Sequence, residues 1–539
     1  MSKVIGVLSM LHESADRCSA TRLFRGEPVL KWTLRRLRRA RSIDSIALLC
    51  WDDQLEAVTP IAEDANARVT AKGPRAALPE VDAIAAARRW ADGWRGGLLL
   101  TCAFDRGYHA SWHHELARLH EAEAVILVDP SAGLVDPELI DALAEHAKSH
   151  DTLEIVFSPA APGLGGILMR PALLGRLASA NTHPGRLLHY HPDQPSREPL
   201  AAESCTPVPT SAARTIHRFT LDSDRQVGRF AAATEPLNGE LVAANAEEMV
   251  SRLQSIGLDE EMPREVVLEL CTRRSTRPIF WPGRAVNINR PELTLAQVRP
   301  LLEELSSIDD TRLTLAGVGD PLLAPDVFAI VDAAQDEAGL SVNLETDLNG
   351  IESDAAARLA RAQLDVLSVH LPALSPQTYA KVMGSDAYGA VLENVRRFVS
   401  ARQTRRSGVP ILAPIFTKCR ENLGEMEAWY DQWLRAAGSA VIRGPSDCAG
   451  QIPDVSVADM APPARKACAR LTSRITVLSD GRVVSCEEDI LGTQVLGRVG
   501  VDSIREVWQK RLSALREDHR RGEWNHRPLC RACREWHRA

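Results

Sequence analysis

Two stretches of this chain alternate short apolar runs with helix-period segments, and that alternation narrows the possible folds more than any other feature. In the first stretch Val4–Leu8, Ser45–Cys50, Gly97–Thr101, Ala124–Asp129 and Glu154–Ser158 read as strands, with helical segments such as Val29–Ala40 and Pro137–Ala147 between them. This predicts a parallel, doubly wound α/β domain. In the second, Val266–Leu270, Arg312–Ala316, Leu340–Glu345, Asp365–His370, Pro410–Pro414 and Ala440–Ile442 read as strands. The helices expected between them are Leu295–Leu305, Pro325–Ala338, Ser353–Arg361, Ala387–Ala401 and Leu423–Ala437. Six such β–α units predict a partial, TIM-type β/α barrel. From about 181 to 262 the pattern weakens among prolines, which reads as the end of the first domain and a connector. Within Leu30–Arg39 the apolar residues recur at 30, 34 and 37, which puts the arginines of that helix on a solvated face.

The 539 residues exceed one ordinary core, and 45% hydrophobic with 25% charged residues is a globular composition. A net charge of -7 gives no reason to expect nucleic acid or an anionic membrane as the main partner. No apolar run approaches a bilayer span, and Val4–Leu8 reads as a first strand rather than a leader, so a cytoplasmic location is expected. Six of the 11 cysteines are scattered (Cys18, Cys50, Cys102, Cys205, Cys271, Cys419), and five crowd the last 92 positions (Cys448, Cys468, Cys486, Cys530, Cys533). That asymmetry points to a metal or cluster site in a reducing compartment rather than to disulfides.

Phe24-Arg25-Gly26-Glu27-Pro28-Val29-Leu30, following the first strand, resembles the opening of cytidylyltransferase-like GT-A domains. In that family the loop after the first strand binds a nucleotide triphosphate. Here that loop, Ser9–Arg17, has no glycine and carries Glu13 and Asp16. The resemblance carries over one residue, Asp129 in Val128-Asp129-Pro130, as a candidate ligand for a divalent cation. A structural strand–Asp–Pro turn is its alternative.

Thr311–Leu323, with Gly317-Val318-Gly319-Asp320-Pro321, resembles the second-strand signature of radical SAM enzymes. Leu344-Glu345-Thr346-Asp347, Ser368-Val369-His370-Leu371 and Asn422–Glu427 match later strand ends in the family's order. The resemblance implies that Gly317, Gly319, Asp320 and Pro321 line a site for S-adenosylmethionine or a similar nucleoside. The family holds its catalytic cluster on Cys-x-x-x-Cys-x-x-Cys, so that one iron stays open. Here the same place reads Cys271-Thr272-Arg273-Arg274-Ser275-Thr276-Arg277-Pro278, with one cysteine, and no such motif occurs elsewhere. Reductive cleavage of S-adenosylmethionine is therefore not expected, and Cys271 reads as a structural thiol.

Cys468-x12-Gly481-x4-Cys486, followed by Cys530-x-x-Cys533, resembles the SPASM and shorter twitch modules that follow such barrels. Arg474–Ser485 reads as a hairpin around Asp480-Gly481, which brings Cys468 and Cys486 together. Leu496-Gly497-Arg498-Val499 and Ser503–Trp508 continue the match, with Arg498 where Asn is usual. Four thiolates suit either a 4Fe-4S cluster or a structural zinc; the barrel in front favours the cluster. Cys448 reads as a loop thiol. From Arg498 onward there are 11 Lys/Arg and six Asp/Glu, a cationic tail that suits an acidic partner or simply a solvated surface.

The expected organisation is thus a GT-A-like domain at 1–215, a linker at 216–261, a radical SAM-like barrel at 262–465 and an iron–sulfur module at 466–539. The expected function is an iron–sulfur protein without radical chemistry, serving as a binding or partner subunit for a protein, peptide or sugar nucleotide. The alternative is an active enzyme. It would either modify a peptide or sugar by radical chemistry or transfer a nucleotidyl or glycosyl group from the N-terminal domain.

Overall fold

Val4–Ser9 (β1) is buried along its whole length because it runs through the middle of a six-stranded sheet covered on both faces. A computed structural model describes residues 3–195, 197–255, 260–352 and 354–538. The chain divides into two units, Met1–Gly257 and Leu258–Ala539.

In the first unit Ser45–Cys50 (β2), Arg68–Ala71 (β3), Ala124–Leu127 (β4), Ile155–Phe157 (β5) and Ile167–Met169 (β6) join β1 in the order β3-β2-β1-β4-β6-β5. The strands are parallel except β6, which runs antiparallel to β4 and β5. Alternate side chains of the central strands feed two cores. One holds Leu8, Leu48 and Ile126 with Leu34 and Leu143; the other holds Val7, Leu49 and Val125 with Leu116 and Leu174. This is the doubly wound arrangement expected.

Three expectations fail in this unit. Gly97–Thr101 is a turn, not a strand: Leu99 and Leu100 take positive φ, and only the bridge Arg95↔Cys102 remains of any pairing. Arg36 does not face solvent. Its fully buried guanidinium donates to the carbonyls of Val135 (2.7 Å), Leu241 (2.6 Å) and Ala244 (2.6 Å). The segment expected as a linker, 216–261, is largely built into this unit, although residues 256–259 lie outside those described. Helices Asp224–Thr234 and Ala246–Ser255 carry Phe230, Met249 and Val250 into a core shared with Phe24, Val29 and Trp32.

In the second unit Glu265–Leu268 (β7), Arg312–Leu315 (β8), Ser341–Thr346 (β9), Val366–His370 (β10), Ile411–Thr417 (β11) and Val441–Arg443 (β12) pair in parallel and in sequence order. All six expected strands are present. Helices Leu295–Leu305, Val327–Asp332, Ala355–Leu359, Tyr388–Thr404 and Met426–Ala437 lie between them. Of the helix expected over Ser353–Arg361, Ser353 lies outside the described residues. The sheet does not close. Arg474–Val477 (β13) adds in parallel to the outer edge of β7, with Arg474 opposite Glu265 and Val477 opposite Leu268. Arg482–Val484 (β14) and Val495–Arg498 (β15) follow antiparallel. Barrel and cysteine module therefore share one nine-stranded sheet and one core, in which Leu471, Ile475, Val507 and Trp508 lie with Leu268, Leu313 and Leu344.

Candidate functional site

The hairpin β13–β14 turns at Asp480-Gly481, and its ends carry the chain to Cys468 on one side and Cys486 on the other. A short helix, Pro528–Ala532, presents Cys530, and Cys533 follows it directly. These four half-buried cysteines line one pocket of about 340 Å³ that opens to solvent, walled by Leu471, Leu529 and Trp536. The backbone N–H of Glu535 donates to Cys533 Sγ at 3.3 Å. Arg465 holds the Cys530 carbonyl at 2.6 Å. Burial pushes the thiols of Cys530 and Cys533 up, to about 11 and about 12, and holds that of Cys486 well above the usual thiol range. Such desolvated sulfurs become thiolates only against a strong local cation, which iron or zinc supplies. Among the described residues no three His, Cys, Asp or Glu side chains are grouped as ligands of a single ion.

His519, which the sequence did not single out, lines the same pocket. Its Nδ1 accepts the N–H of Cys468 at 3.2 Å, so the neutral ring carries its proton on Nε2, a buried atom with no partner. The ring is kept neutral by burial, which lowers its pKa to about 4. Under the pocket Arg470 pairs with Glu488 (2.8 Å) and Glu487 (3.3 Å), and Arg474 ties Glu487 to Glu265 of β7. Cys448 lies outside the pocket, buried beside Val318, Ile452 and Ile490.

At the carboxyl ends of the barrel strands a second set of charged groups converges. Arg274 extends from the loop after β7 and clasps the buried Asp347 carboxylate at 2.7 and 2.9 Å. Thr276 bonds the same carboxylate. Arg274 also reaches His370 Nδ1 at 3.1 Å, His370 Nε2 lies 3.2 Å from Glu345, and Arg443 closes the chain on both Glu345 (3.1 Å) and His370 (3.0 Å). Burial alone would raise the pKa of Asp347 and Glu345. Arg274 at the first, Arg443 at the second and His370 at both outweigh it, so both stay well below the usual carboxylate range.

Gly317, Gly319, Asp320 and Pro321 stand against this set, and their contacts are internal. A Cβ on Gly317 would sit 2.7 Å from Glu269, and one on Gly319 would collide with the Cys271 carbonyl. Asp320 accepts from the backbone N–H groups of Leu322 (3.0 Å) and Asp347 (2.9 Å) and from the Thr346 hydroxyl (2.9 Å). The Cys271 thiol, pushed up to about 11 by burial, donates to the Asp320 carbonyl at 3.2 Å. Glu269 joins barrel to module: it pairs with Arg290 at 2.7 and 2.9 Å and accepts the N–H of Val318 (3.0 Å) and of Ser479 (3.1 Å). The sequence had marked Glu345, Asp347 and His370 as strand ends but not as partners of Arg274 and Arg443. The partners stand 70 to 100 residues apart, and no spacing rule links them.

In the first unit Asp129 lies just beyond β4, its side chain 8% exposed, beside Arg106 and Asp222 in a cavity of about 440 Å³.

Residues 271–425 match the family described as the Radical SAM superfamily, and residues 468–534 match the iron-sulfur cluster-binding domain SPASM. An uncharacterized protein of Treponema pallidum (strain Nichols) is 25% identical over 272 residues, 48% of this chain and 74% of its own. A probable GTP 3',8-cyclase of Thermococcus kodakarensis is 30% identical over 109 residues, 20% of this chain and 34% of its own length. Among solved structures, BtrN in complex with AdoMet and 2-DOIA is similar at a TM-score of 0.35 and 17% identity, covering 50% of this chain and 93% of that one. A cytidylyltransferase from Leptospira borgpetersenii serovar Hardjo-bovis is similar at a TM-score of 0.34 and 13% identity, covering 48% of this chain and 94% of that one.

Proposed function

We propose that this chain, which carries a radical SAM superfamily domain followed by an iron–sulfur cluster-binding domain, holds one 4Fe-4S cluster on Cys468, Cys486, Cys530 and Cys533 and performs no radical chemistry. The observation that carries this reading is Arg274. Where three thiolates would be needed, the loop 271–278 offers one cysteine, and that thiol is bonded to a backbone carbonyl. From the same loop a guanidinium enters the barrel mouth and is bound there by Asp347 and His370. A guanidinium in that position supplies no ligand to iron, and its positive charge would oppose the sulfonium of S-adenosylmethionine. The residues of the barrel mouth thus do not fit the catalytic cluster.

The cysteine pocket does fit a cluster. Four sulfurs line one cavity with apolar walls, an N–H is directed at Cys533, and the His519 Nε2 proton lacks a partner. A cubane bound there would have all four irons ligated by protein and would supply electron transfer or rigidity, not substrate activation. The chain accordingly acts as a binding or partner subunit for a protein, peptide or sugar nucleotide.

The test is anaerobic iron and sulfide quantification on the full chain, together with a search for 5′-deoxyadenosine after reduction with S-adenosylmethionine. About four irons per chain and no 5′-deoxyadenosine support the reading. About eight irons, or turnover above a cluster-free control, would sink it; zinc without iron would reduce the module to a structural clip.

A further inference from the structure

The cavity of the first unit contains two carboxylates that face one another across an arginine. Asp129 and Asp222 are each 8% exposed at the side chain. Arg106 Nη1 lies 2.5 Å from Asp222 Oδ2 and 3.5 Å from Asp129 Oδ2. Arg218 approaches Asp222 Oδ1 at 3.2 Å. Asp129 Oδ2 and Asp222 Oδ1 are nevertheless buried without a hydrogen-bond partner. Two desolvated acids aimed at one point are the usual holders of a divalent ion, and a GT-A-like domain would use Asp129 in that way. Here guanidinium groups already face the carboxylates. Arg106 and Arg218 stand against Asp129 and Asp222, with Arg88 and Asp92 in the same lining, and a divalent ion added between the two carboxylates would meet a guanidinium instead of open ligands.

Arg106 is also held in place. It precedes Gly107, which takes φ +68 and lies so close to β1 that a Cβ would stand 2.6 Å from the Ser9 carbonyl. The Ser9 hydroxyl donates to the Gly107 carbonyl at 2.5 Å. On the other side His12 is buried with neither ring nitrogen partnered. Burial, then the nearby Arg106, lower its pKa to about 4, so it adds no charge to the cavity.

We propose that Arg106 is the permanent cation of this cavity: it fills the place of a divalent ion between Asp129 and Asp222, so the native cavity takes up no metal. The expectation that Asp129 ligates a divalent cation is thereby reversed for the native chain and reappears once Arg106 is removed.

Mn²⁺ is the probe, because it prefers carboxylate oxygen to the thiols of the C-terminal module. Free Mn²⁺ is followed by EPR during titration of the full chain. Wild type is expected to show no site that Asp129→Asn removes. Arg106→Met is expected to gain one site, at least about tenfold tighter than anything on wild type and abolished in Arg106→Met/Asp129→Asn. Arg106→Gln, which keeps a polar head of lower charge, is the second variant, with folding of each checked by its melting temperature. A wild-type Mn²⁺ site lost in Asp129→Asn would overturn the proposal. So would a folded Arg106→Met or Arg106→Gln that binds no better than wild type. If both variants fail to fold, the wild-type and Asp129→Asn titrations alone decide it.

Discussion

Arg274 and Asp347 meet through two parallel hydrogen bonds of 2.7 and 2.9 Å, although 73 residues separate them. Both side chains are nearly or wholly removed from solvent, 7% and 0% exposed. The consequences for stability follow from what each partner leaves behind.

Replacing Arg274 by Met leaves the buried Asp347 facing only His370 and the Thr276 hydroxyl, and should cost about 3 kcal/mol. The double variant Arg274→Met/Asp347→Leu should recover most of that loss. Urea unfolding monitored by tryptophan fluorescence checks both. If the single variant unfolds like wild type, the buried pair does not stabilise the barrel mouth.

The barrel mouth should give a two-sided pH dependence. Asp347 and Glu345 are held below their unfolded values, so their stabilisation is complete above about pH 4 and is lost as pH falls through the folded values. Asp320 behaves oppositely. Burial, then the Asp347 charge, push it up to about 6, so its contribution is complete below about pH 4 and is lost as pH rises through 6. Melting temperatures of wild type and Asp320→Asn between pH 4 and 7 should differ in slope, with the variant flatter.

Gly319→Ala should destabilise the ligand-free protein by several kcal/mol, about 2–4, because the new methyl collides with rigid backbone at Cys271. The family resemblance would have assigned that glycine to ligand approach. A Gly319→Ala protein with unchanged melting temperature would restore that role.

In the cysteine module, Cys530→Ala/Cys533→Ala should lose the iron and sulfide entirely. His519→Phe should keep the iron but lower the reduction potential, since it removes an N–H donor from the pocket wall. Protein-film voltammetry reads the shift, and an unchanged potential would mean that Nε2 does not face the cluster.

Much of this was legible in the sequence, and the reason is local. Each strand of the barrel is a short apolar run ended by polar or turn residues, and all six appear where periodicity places them. The hairpin announced itself by Asp480-Gly481. Gly97–Thr101 misled because a leucine triplet satisfies the strand pattern while Leu99 and Leu100 lie in left-handed conformations that hydrophobicity does not report. β3 was missed because it is a four-residue edge strand, half exposed and opened by Arg68. Arg36 was misplaced because helical periodicity marks which face is apolar, not which carbonyls wait above it. The Arg274–Asp347–His370–Glu345–Arg443 chain is assembled only by the parallel register of β9, β10 and β12.

The seating of β13 on β7 has a consequence for biosynthesis. Until residue 477 has left the ribosome, the first strand of the barrel keeps a bare edge of N–H and C=O groups, a template for pairing with another nascent chain. Emergence of the hairpin caps that edge and draws Cys468 and Cys486 toward each other, so one strand pairing both covers the barrel edge and begins the cysteine pocket.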